Sequence, residues 1–325
     1  MTNKPLTTSV LFLIFNRPDT TKQVFETIRQ VKPRQLFVAA DGPRADRPGE
    51  EEKCEKVRQI ATNVDWDCEV KTLFREKNLG CRVAVSSAID WFFENVEKGI
   101  ILEDDCLPHP TFFRFCQELL ERYRDDMRVM QIGGCNFQDG IKRGDGSYYF
   151  SKYNHIWGWA SWRRAWRHYD VAMQTFPEFV VQKQIENIWP DKNTQKYWLN
   201  IFQTVFEGRI DTWDYQWIYA MWTQNSFAIL PNVNMISNIG FDESATHTKG
   251  DSHVSNMKTY ELYKIIHPAF VLQDIEADKY TFEKNLFIPI HKRILQSIKR
   301  RVKKLFKILL KTIEAIYVNN KTHNQ

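Results

Sequence analysis

Short apolar runs alternate with amphipathic segments along the first 135 residues of the chain. The apolar runs predict buried strands at residues 10–15, 35–40, 68–74, 99–102 and 128–132. The segments between them predict helices at residues 19–31, 49–62, 82–96 and 111–124, the first with Asp19 or Thr20 near its N-cap. This alternation predicts an α/β fold, with a Rossmann-like, mostly parallel sheet flanked by helices.

The pattern changes after residue 135. Residues 136–160 are turn-like, residues 177–224 predict helices, and short strands are predicted near residues 227–230 and 235–236. We therefore expect three parts, which are residues 1–135, residues 136–290 and a tail of residues 291–325.

Composition places the chain among ordinary globular proteins. Of its 325 residues, 43% are hydrophobic and 26% are charged, which excludes a disordered chain, a collagen-like repeat and a multi-span membrane protein. The six cysteines show no CxxC or zinc-like spacing, and the apolar run at residues 10–15 is too short for a signal peptide. We therefore expect a reduced, cytoplasmic protein.

The net charge of +5 comes from one end of the chain. Residues 291–313 hold nine Lys or Arg and no Asp or Glu, whereas residues 1–290 carry 35 basic and 39 acidic groups. A mildly acidic body argues against nucleic acid as a partner.

Polar residues follow four of the predicted strands, at the point where each strand ends. These sets are Asn16-Arg17-Pro18, Asp41-Gly42, Arg75 with Asn78-Leu79-Gly80, and Glu103-Asp104-Asp105, and Phe15 at the end of the first strand is a further candidate for nucleotide-sugar binding. Ligands of parallel α/β sheets bind outside the carboxyl ends of the strands, so this edge is the predicted site. The turn after the first strand contains no glycine, which argues against a dinucleotide fingerprint, a P-loop and the glycine-rich loop of sugar nucleotidyltransferases.

The sharpest feature is the acidic triplet Glu103-Asp104-Asp105. Three consecutive carboxylates repel one another unless a cation or solvent intervenes. Mg2+ and Mn2+ prefer carboxylate and phosphate oxygens, so the triplet predicts a site for one of these ions together with a nucleoside diphosphate. The competing interpretation is an acidic helix N-terminus that the helix dipole favours.

The other strand-end residues each have a binding and a structural interpretation. Asp41 suits the N3–H of a uracil-type base, or is simply the first residue of a turn. Asn16 and Arg17 suit a base, a ribose or a phosphate. Arg75, beside Asn78 and Gly80, suits a phosphate or a sugar hydroxyl, or a surface salt bridge.

Two carboxylates are candidates for a catalytic base. Asp214 lies between bulky aromatic residues at a predicted helix start, where loss of hydration would make it a better base for an acceptor hydroxyl, or where it caps the helix. Asp211 is the competing carboxylate. His247 suits a metal, a diphosphate or a structural role, and Trp157 and Trp159 suit sugar stacking or a core.

Together these residues resemble those of GT-A glycosyltransferases. The apolar strand before Asn16-Arg17-Pro18, then Asp41, Asn78-Leu79-Gly80 and the acidic triplet follow the order of that superfamily. The chain also resembles the metal-dependent, inverting N-acetylglucosaminyltransferase that initiates hybrid and complex N-glycans, through the triplet, Gly158-Trp159, Trp213-Asp214 and Thr246-His247. Bacterial proteins labelled hemolytic-protein-like are similar over nearly all of residues 8–250.

The resemblance implies a site arrangement. Asp105 would contact Mn2+ or Mg2+, with Glu103 and Asp104 oriented toward the sugar or ribose. Arg17 and Asp41 would lie at the nucleotide, and Asp214 would be the catalytic base. Residues 1–135 would then bind the nucleotide sugar, and residues 136–290 would bind the acceptor.

We therefore expect a metal-dependent, inverting glycosyltransferase. Its donor would be a nucleoside diphosphate sugar, with a UDP-sugar as the leading candidate. Its acceptor would be a hydroxyl of a cell-surface polysaccharide or lipid-linked glycan. The alternatives are a sugar-1-phosphate nucleotidyltransferase with the same kind of sheet, and a membrane-active protein that acts through its basic tail.

The tail has a helical apolar stripe. Its members recur every three or four residues, and they are Ile294, Ile298, Val302, Leu305, Leu309, Ile313 and Ile316. With lysines and arginines elsewhere, the pattern predicts a helix over residues 291–316 that lies on an anionic membrane, and so a protein peripheral to the cytoplasmic membrane. The alternative is a helix that packs its stripe on the body.

Removal of the tail tests this role. A chain truncated after Pro289 should lose most of its binding to anionic vesicles, because each cation at such a surface contributes about 1 kcal/mol. Liposome flotation of the full and truncated chains measures the difference. Undiminished flotation of the truncated chain would refute a membrane role for the tail.

Overall fold

The chain forms ten strands and ten α-helices within residues 5–241 and 254–286, which are the residues that this computed structural model describes. The strands are β1 (Ser9–Ile14), β2 (Gln35–Ala40), β3 (Glu69–Phe74), β4 (Lys98–Glu103), β5 (Cys106–Pro108), β6 (Val129–Gly133), β7 (Tyr148–Ser151), β8 (Trp159–Trp162), β9 (Phe227–Pro231) and β10 (Ile236–Asn238). The helices are α1 (Pro18–Val31), α2 (Glu50–Thr62), α3 (Gly80–Asn95), α4 (Thr111–Arg122), α5 (Arg163–Trp166), α6 (Phe176–Val181), α7 (Ile185–Ile188), α8 (Lys192–Phe206), α9 (Asp214–Thr223) and α10 (Ile275–Thr281), and a π-helical turn spans Phe282–Leu286.

Eight of the strands form one sheet in the order β3-β2-β1-β4-β8-β6-β9-β7. The strands β3, β2, β1 and β4 pair in parallel, as do β6 and β9, whereas β8 and β7 run antiparallel to their neighbours. The strands β5 and β10 form a separate antiparallel pair. The predicted α/β class, with a mostly parallel sheet flanked by helices, is confirmed.

Helices cover both faces of the sheet because alternate residues of each strand point to opposite sides. On one face Val10, Phe12 and Ile14 of β1 join a buried cluster with side chains of α1, α2 and α4. On the other face Phe37 of β2 contacts Phe92 of α3, with ring centroids 5.0 Å apart. Strands buried on both faces explain the continuous apolar runs in the sequence.

The first helix begins one residue earlier than expected, its N-cap is Arg17, and Asp19 lies in its first turn. Pro18 occupies the first helical position, where its missing N–H costs nothing and its fixed φ is already helical. The Arg17 carbonyl accepts the first backbone bond from Thr21, at 3.0 Å. The side chain of Arg17 therefore leaves the chain at the junction between β1 and α1.

The strand β8 was not among the predicted strands. Residues 159–162 mix two tryptophans with small residues, a pattern that resembled a turn followed by core positions at helical spacing. Trp162 is buried and lies in β8. Because β8 is antiparallel, its first residue Trp159 pairs with Ile101 of β4 and Gly133 of β6, at their carboxyl ends.

Tryptophans build a second core around α9. Trp213 stacks on Trp159 with ring centroids 5.7 Å apart, and Trp217 of α9 lies 5.0 Å from Trp166. The indole N–H of Trp217 donates to Gln131 of β6, at 2.7 Å. These contacts fix the start of α9 against the carboxyl end of the sheet.

The sheet continues across residue 135, since β8 lies between β4 and β6. The first compact unit of the chain ends at Tyr280, and the π-helical turn belongs to the second. The division into residues 1–135 and 136–290 stays a prediction. The tail of residues 291–325 and His247 lie outside the described residues. None of the described helices combines the length and apolar character needed to cross a bilayer.

The carboxylate of Asp278 anchors α10 to β7. It has no solvent exposure and accepts hydrogen bonds from the Ser151 hydroxyl, from the Lys152 backbone N–H at 3.0 Å and from the Gln273 amide at 2.7 Å. A buried donor that loses its acceptor costs about 1–3 kcal/mol. This one carboxylate therefore satisfies donors on two separate segments.

Replacement of Asp278 by Ala should lower the free energy of unfolding by about 3 kcal/mol, because buried donors on both segments lose their acceptor. Urea denaturation measures the change. Glu276→Ala on the exposed side of the same helix is the matched control and should change the free energy by less than about 0.5 kcal/mol. Equal effects of the two substitutions would contradict the anchoring role.

Candidate functional site

The predicted strand ends meet at one edge of the sheet. Leu13 of β1 pairs with Glu103 of β4, so the residues that follow these two strands lie side by side. The backbone N–H of Phe15 donates to Asp104 Oδ2, at 3.1 Å. The turn after β1 is therefore bonded directly to the acidic triplet.

Arg17 forms ion pairs with two members of the triplet. Its Nη1 donates to Asp105 Oδ2 at 2.9 Å, and its Nη2 donates to Asp104 Oδ1. Asp104 is 3% exposed, whereas Asp105 is 15% exposed and Arg17 is 18% exposed. One guanidinium thus bridges a buried carboxylate and a more accessible one.

Burial dominates the electrostatics of the triplet. It raises the pKa of Glu103 well above its ordinary value, and the negative charges of Asp105 and Asp104 add to the effect. Burial also raises the pKa of Asp104, although Arg17 opposes this. Burial alone would lower the pKa of Arg17, but the two carboxylates outweigh it and raise that pKa. Burial therefore disfavours full ionisation of the triplet, and the charge of Arg17 favours the ionised form of Asp104.

A backbone segment that follows β10 closes over this ion pair. The N–H of Ile239 donates to the Asp105 carbonyl at 2.9 Å. A Cβ added to Gly240 would lie 2.2 Å from Asp105 Oδ2 and 2.6 Å from Arg17 Nη1, so a side chain here would displace the ion pair. Gly240 has no local sequence signal, because its packing partners lie more than 130 residues earlier in the chain.

Asp41 holds the loop before α3. Its Oδ1 accepts from the backbone N–H groups of Gly42 and Leu79, both at 2.9 Å, and its Oδ2 accepts from Asn78 Nδ2 at 2.9 Å and from the Gly80 N–H at 3.2 Å. Burial raises the pKa of Asp41, and these backbone N–H donors oppose the shift. The structure brings Asp41, Asn78 and Gly80 together through these bonds, as a turn-forming group.

Arg75 lies close to this loop. Its Nη2 donates to the Ser87 hydroxyl at 3.2 Å, and its charge lowers the pKa of Asp41 against the larger effect of burial. The backbone carbonyl of Arg75 accepts from Arg58, at 2.6 Å. Arg75 is thus positioned by α2 and α3 at the same edge.

Asn16 has a partner that sequence reasoning missed. Its Nδ2 donates to Glu50 Oε1 at 2.8 Å, and Glu50 also pairs with the Arg44 guanidinium. The Arg44 guanidinium lies over the Phe15 ring, 5.4 Å from its centroid. Arg44 and Glu50 thus line the turn after β1, and in the sequence they look like an ordinary loop residue and a helix N-terminus.

The two candidate bases occupy different environments. Asp211 accepts from the backbone N–H groups of Cys81 at 3.0 Å and Arg82 at 3.2 Å, so it caps the N-terminus of α3 from 130 residues away. Asp214 is the first residue of α9 and accepts from the Thr212 hydroxyl. Asp211 is committed to helix capping by both of its oxygens.

The charges that act on the Cys81 thiol show which carboxylates lie near it. Burial raises the pKa of Cys81, and the charges that raise it further are those of Glu103, Asp211, Asp214 and Asp41. Four carboxylates from three distant segments therefore lie within electrostatic range of the start of α3. The structure gathers Asp214 and the acidic triplet at a single edge.

The two predicted acceptor tryptophans differ in exposure. Trp157 is partly exposed, and its ring packs edge-on against Phe241 and Phe137, with centroids 5.6 Å and 5.5 Å away. Trp159 is 1% exposed and stacks on Trp213 within the core. Of these two tryptophans, Trp157 is the one that offers an aromatic surface beside the site. Phe241 extends this surface toward Gly240.

The donor set fits a hard divalent cation in part. Within residues 5–241 and 254–286, no three His, Cys, Asp or Glu side chains are grouped closely enough to hold a metal ion. The triplet does supply carboxylate oxygens, and Arg17 already places a positive group against Asp105. An ion bound here would need Asp105 together with oxygens from a ligand, the usual arrangement for Mg2+ with phosphates.

No model of a known protein family matches the chain, and no curated protein sequence matches it. Solved structures match about half of it. A UDP-glucose pyrophosphorylase complexed with UDP-glucose is 11% identical over 50% of this chain and 78% of that chain, with a TM-score of 0.31. HddC from Yersinia pseudotuberculosis is 10% identical over 49% of this chain and 78% of its own, with a TM-score of 0.29. TarS 1-349 from S. aureus is 12% identical over 51% of this chain and 49% of its own, with a TM-score of 0.33. Likeness at this level assigns no activity to the chain.

The anchoring by Asp41 can be tested by replacing one oxygen. In the unmodified chain, backbone N–H groups donate to both oxygens of Asp41. Asp41→Asn replaces one of these oxygens by an NH2 group, which cannot accept, and should lower the free energy of unfolding by about 2 kcal/mol. Chemical denaturation measures this, and hydrogen exchange at Leu79 should accelerate. Asp46→Asn, at a carboxylate that is 80% exposed, is the control. Unchanged exchange at Leu79 would rule out the anchoring role.

Proposed function

We propose that this protein is a glycosyltransferase that moves a sugar from a nucleoside diphosphate sugar to a hydroxyl of a cell-surface polysaccharide or lipid-linked glycan. The observation that carries the proposal is the gathering of Arg17, the acidic triplet and Asp214 at the carboxyl edge of one sheet. Ligands of α/β sheets bind at this edge. The resemblance to GT-A enzymes in residue order points to the same chemistry.

The donor would bind across the ends of β1, β2 and β4. Arg17 supplies a positive charge for the diphosphate, and the half-buried Asp41 and Asn78 lie where a base or ribose would enter. A uracil-type base, and hence a UDP-sugar, suits an acceptor such as Asp41. The Asp41 oxygens already accept hydrogen bonds from loop N–H groups, so the base would have to share these oxygens.

Mn2+ or Mg2+ is part of the proposal, with Asp105 as its protein ligand. When bound, such an ion neutralises the negative charge of the leaving diphosphate and makes departure easier. Asp105 is the more exposed of the two carboxylates that Arg17 contacts, so it is the one that a ligand can reach. His247 stays a candidate ligand, outside the described residues.

We assign the catalytic base to Asp214. The oxygens of Asp211 both accept backbone bonds at the start of α3, whereas Asp214 lies near enough to Glu103 for its charge to raise the Glu103 pKa, beside the larger effect of burial. Asp214 would take the proton of the acceptor hydroxyl as its oxygen attacks the anomeric carbon. The bond to the diphosphate breaks in the same step, and a single displacement inverts the configuration.

The acceptor would lie beside the Arg17–Asp105 ion pair, on the side that Gly240, Phe241 and Trp157 form. Aromatic faces suit the apolar faces of sugar rings. Trp157 is held on the turn before β8, where its carbonyl accepts from the Cys135 thiol at 3.3 Å. Trp159 is buried, so we give it a supporting role behind this surface.

A donor panel tests the proposed class. Binding and hydrolysis should be detected for at least one of the UDP-, GDP- and dTDP-sugars, and should rise with Mn2+ or Mg2+ and fall with EDTA. A CMP-sugar, which carries no diphosphate, should be inactive. Pyrophosphate formation from a sugar-1-phosphate and a nucleoside triphosphate would instead support a nucleotidyltransferase. Leakage of lipid vesicles without any donor binding would support a membrane-active protein.

Two substitutions test the assigned residues. Asp214→Asn should lower turnover by about 10²–10⁴-fold, because the general base is lost. Asp105→Asn should lower turnover and abolish the effect of added metal. Asp211→Asn is the matched control for the base, and its turnover should stay near that of the unmodified chain once folding is verified. A larger loss from Asp211→Asn than from Asp214→Asn would exchange the two assignments.

A further inference from the structure

An irregular segment, residues 256–275, covers the outer edge of β7, and we call it the edge segment. β7 is the last strand of the sheet, so its outer backbone groups need partners from elsewhere. The Ser147 N–H, just before β7, donates to the Ile266 carbonyl at 2.7 Å, and the Asp274 N–H donates to the Phe150 carbonyl at 2.8 Å. Backbone bonds therefore attach the segment to the sheet.

The side chains of the edge segment divide into an inner and an outer set. The inner side chains of Leu262, Ile265 and Val271 pack against the main core cluster. The outer set is apolar as well. We call it the apolar row, and it consists of Tyr260, Tyr263, Ile266, Phe270, Leu272 and Ile275. Charged side chains are the usual protection at a sheet edge, so neither core packing nor edge protection explains this row.

The apolar row concentrates exposed apolar surface in one short segment. Of the fifteen large hydrophobic side chains that are exposed within residues 5–241 and 254–286, six belong to the row. Phe270 is 73% exposed and Leu272 is 70% exposed. Single exposed apolar residues are ordinary, but a concentration of them marks a surface that binds another apolar surface.

The edge segment is unsuited to pairing with a second copy of the chain. Exposed sheet edges join other chains by continuing the ladder of backbone bonds. Pro268 lies in the middle of the segment and has no N–H to donate, and residues 254–272 hold no regular strand. A lipid surface needs no such ladder, because it contacts side chains alone.

The charges of the edge segment suit an anionic lipid surface. Lys258 and Lys264 outnumber Glu261, the one acid of residues 256–273, while Asp274 caps α10 with its side chain. Lys258 Nζ lies 5.3 Å from the centroid of the Tyr260 ring. Tyrosines beside lysines, with larger apolar side chains further along, are typical of surfaces that lie at the boundary between lipid headgroups and acyl chains.

We propose that the apolar row is a membrane-docking surface, whose side chains insert among the lipids of an anionic bilayer. This surface lies on the body of the protein and is distinct from the tail of residues 291–325. The nine Lys or Arg of residues 291–313 belong to the same chain. Attraction of these charges to the bilayer would therefore raise the effective concentration of the row at the lipid surface.

The edge segment begins beside the acceptor side of the site. The Asn256 N–H donates to the Asn238 carbonyl at 3.0 Å, two residues before Gly240, and the Tyr260 N–H donates to the Asn234 carbonyl at 2.7 Å. Docking of the row would thus bring a bilayer to the side of the site where a lipid-linked acceptor would lie. This consequence, unlike the docking surface itself, rests on the proposed function.

Flotation of the full chain with vesicles of phosphatidylcholine and phosphatidylglycerol tests the surface. In about 1 M salt, where attraction between charges is screened beyond about 3 Å, the chain should still bind through apolar contacts. Phe270→Ser combined with Leu272→Ser should lower this salt-resistant binding by about 10–100-fold, because two large apolar side chains no longer leave water. Val180→Ser combined with Val181→Ser, on exposed positions of α6, is the matched control and should change binding by less than about two-fold.

A swapped variant separates apolar character from local structure. Phe270→Leu combined with Leu272→Phe keeps the row apolar and should bind like the unmodified chain, and a loss of binding here too would overturn the proposal. Thermal unfolding is measured first. It should change little because both side chains are exposed, and each single serine substitution carries the comparison if the double variant does not fold.

Two further outcomes would overturn the docking surface. One is salt-resistant binding that the serine substitutions leave unchanged. The other is a change from oligomer to monomer in analytical ultracentrifugation with unchanged flotation, which would assign the row to a second copy of the chain. Neither measurement uses a sugar donor, so failure of this surface is distinguished from failure of the proposed function in the donor panel.

Discussion

Negative charge is concentrated where the buried strand β4 ends, and the rest of the site is arranged around its compensation. Ionised carboxylates removed from water are costly unless a cation or hydrogen-bond donors replace the lost hydration. Arg17 supplies the cation for Asp104 and Asp105, and the Phe15 N–H supplies a donor. Both come from the turn after β1, so the parallel pairing of β1 with β4 is what makes this charge tolerable.

The pairing also explains the position of Pro18. A proline at the first helical position starts α1 immediately after Arg17, so the arginine sits at the sheet edge instead of inside a helix. Gly240 then seals the ion pair from the side of β10. Local backbone chemistry in two distant segments thus serves one electrostatic need.

The second half of the chain contributes position more than charge. The stacked Trp159 and Trp213, with Trp217 bonded to Gln131, fix α9 against the sheet and bring its first residue, Asp214, toward the triplet. Asp211 ties the same segment to the start of α3. A large aromatic core gives a rigid support for a carboxylate, because packed rings have few alternative arrangements.

The sequence alone determined the α/β class, the strands β1 to β4 and β6 to within two residues, and the edge at which polar groups collect. These depend on local apolar periodicity and on the rule that parallel strands end on one side, both of which can be read from neighbouring residues. The antiparallel strand β8, the capping of α3 by Asp211, the Asn16–Glu50 contact and the fit of Gly240 against Arg17 were decided only by the tertiary structure. Each joins residues far apart in the chain, and the side chains involved have ordinary local roles that leave no distinct pattern. The contrast between sequence and tertiary structure is clearest for Asp41 and Asp211, which the sequence presents as candidate site residues. In the folded chain, both act first as acceptors for backbone N–H groups around the start of α3.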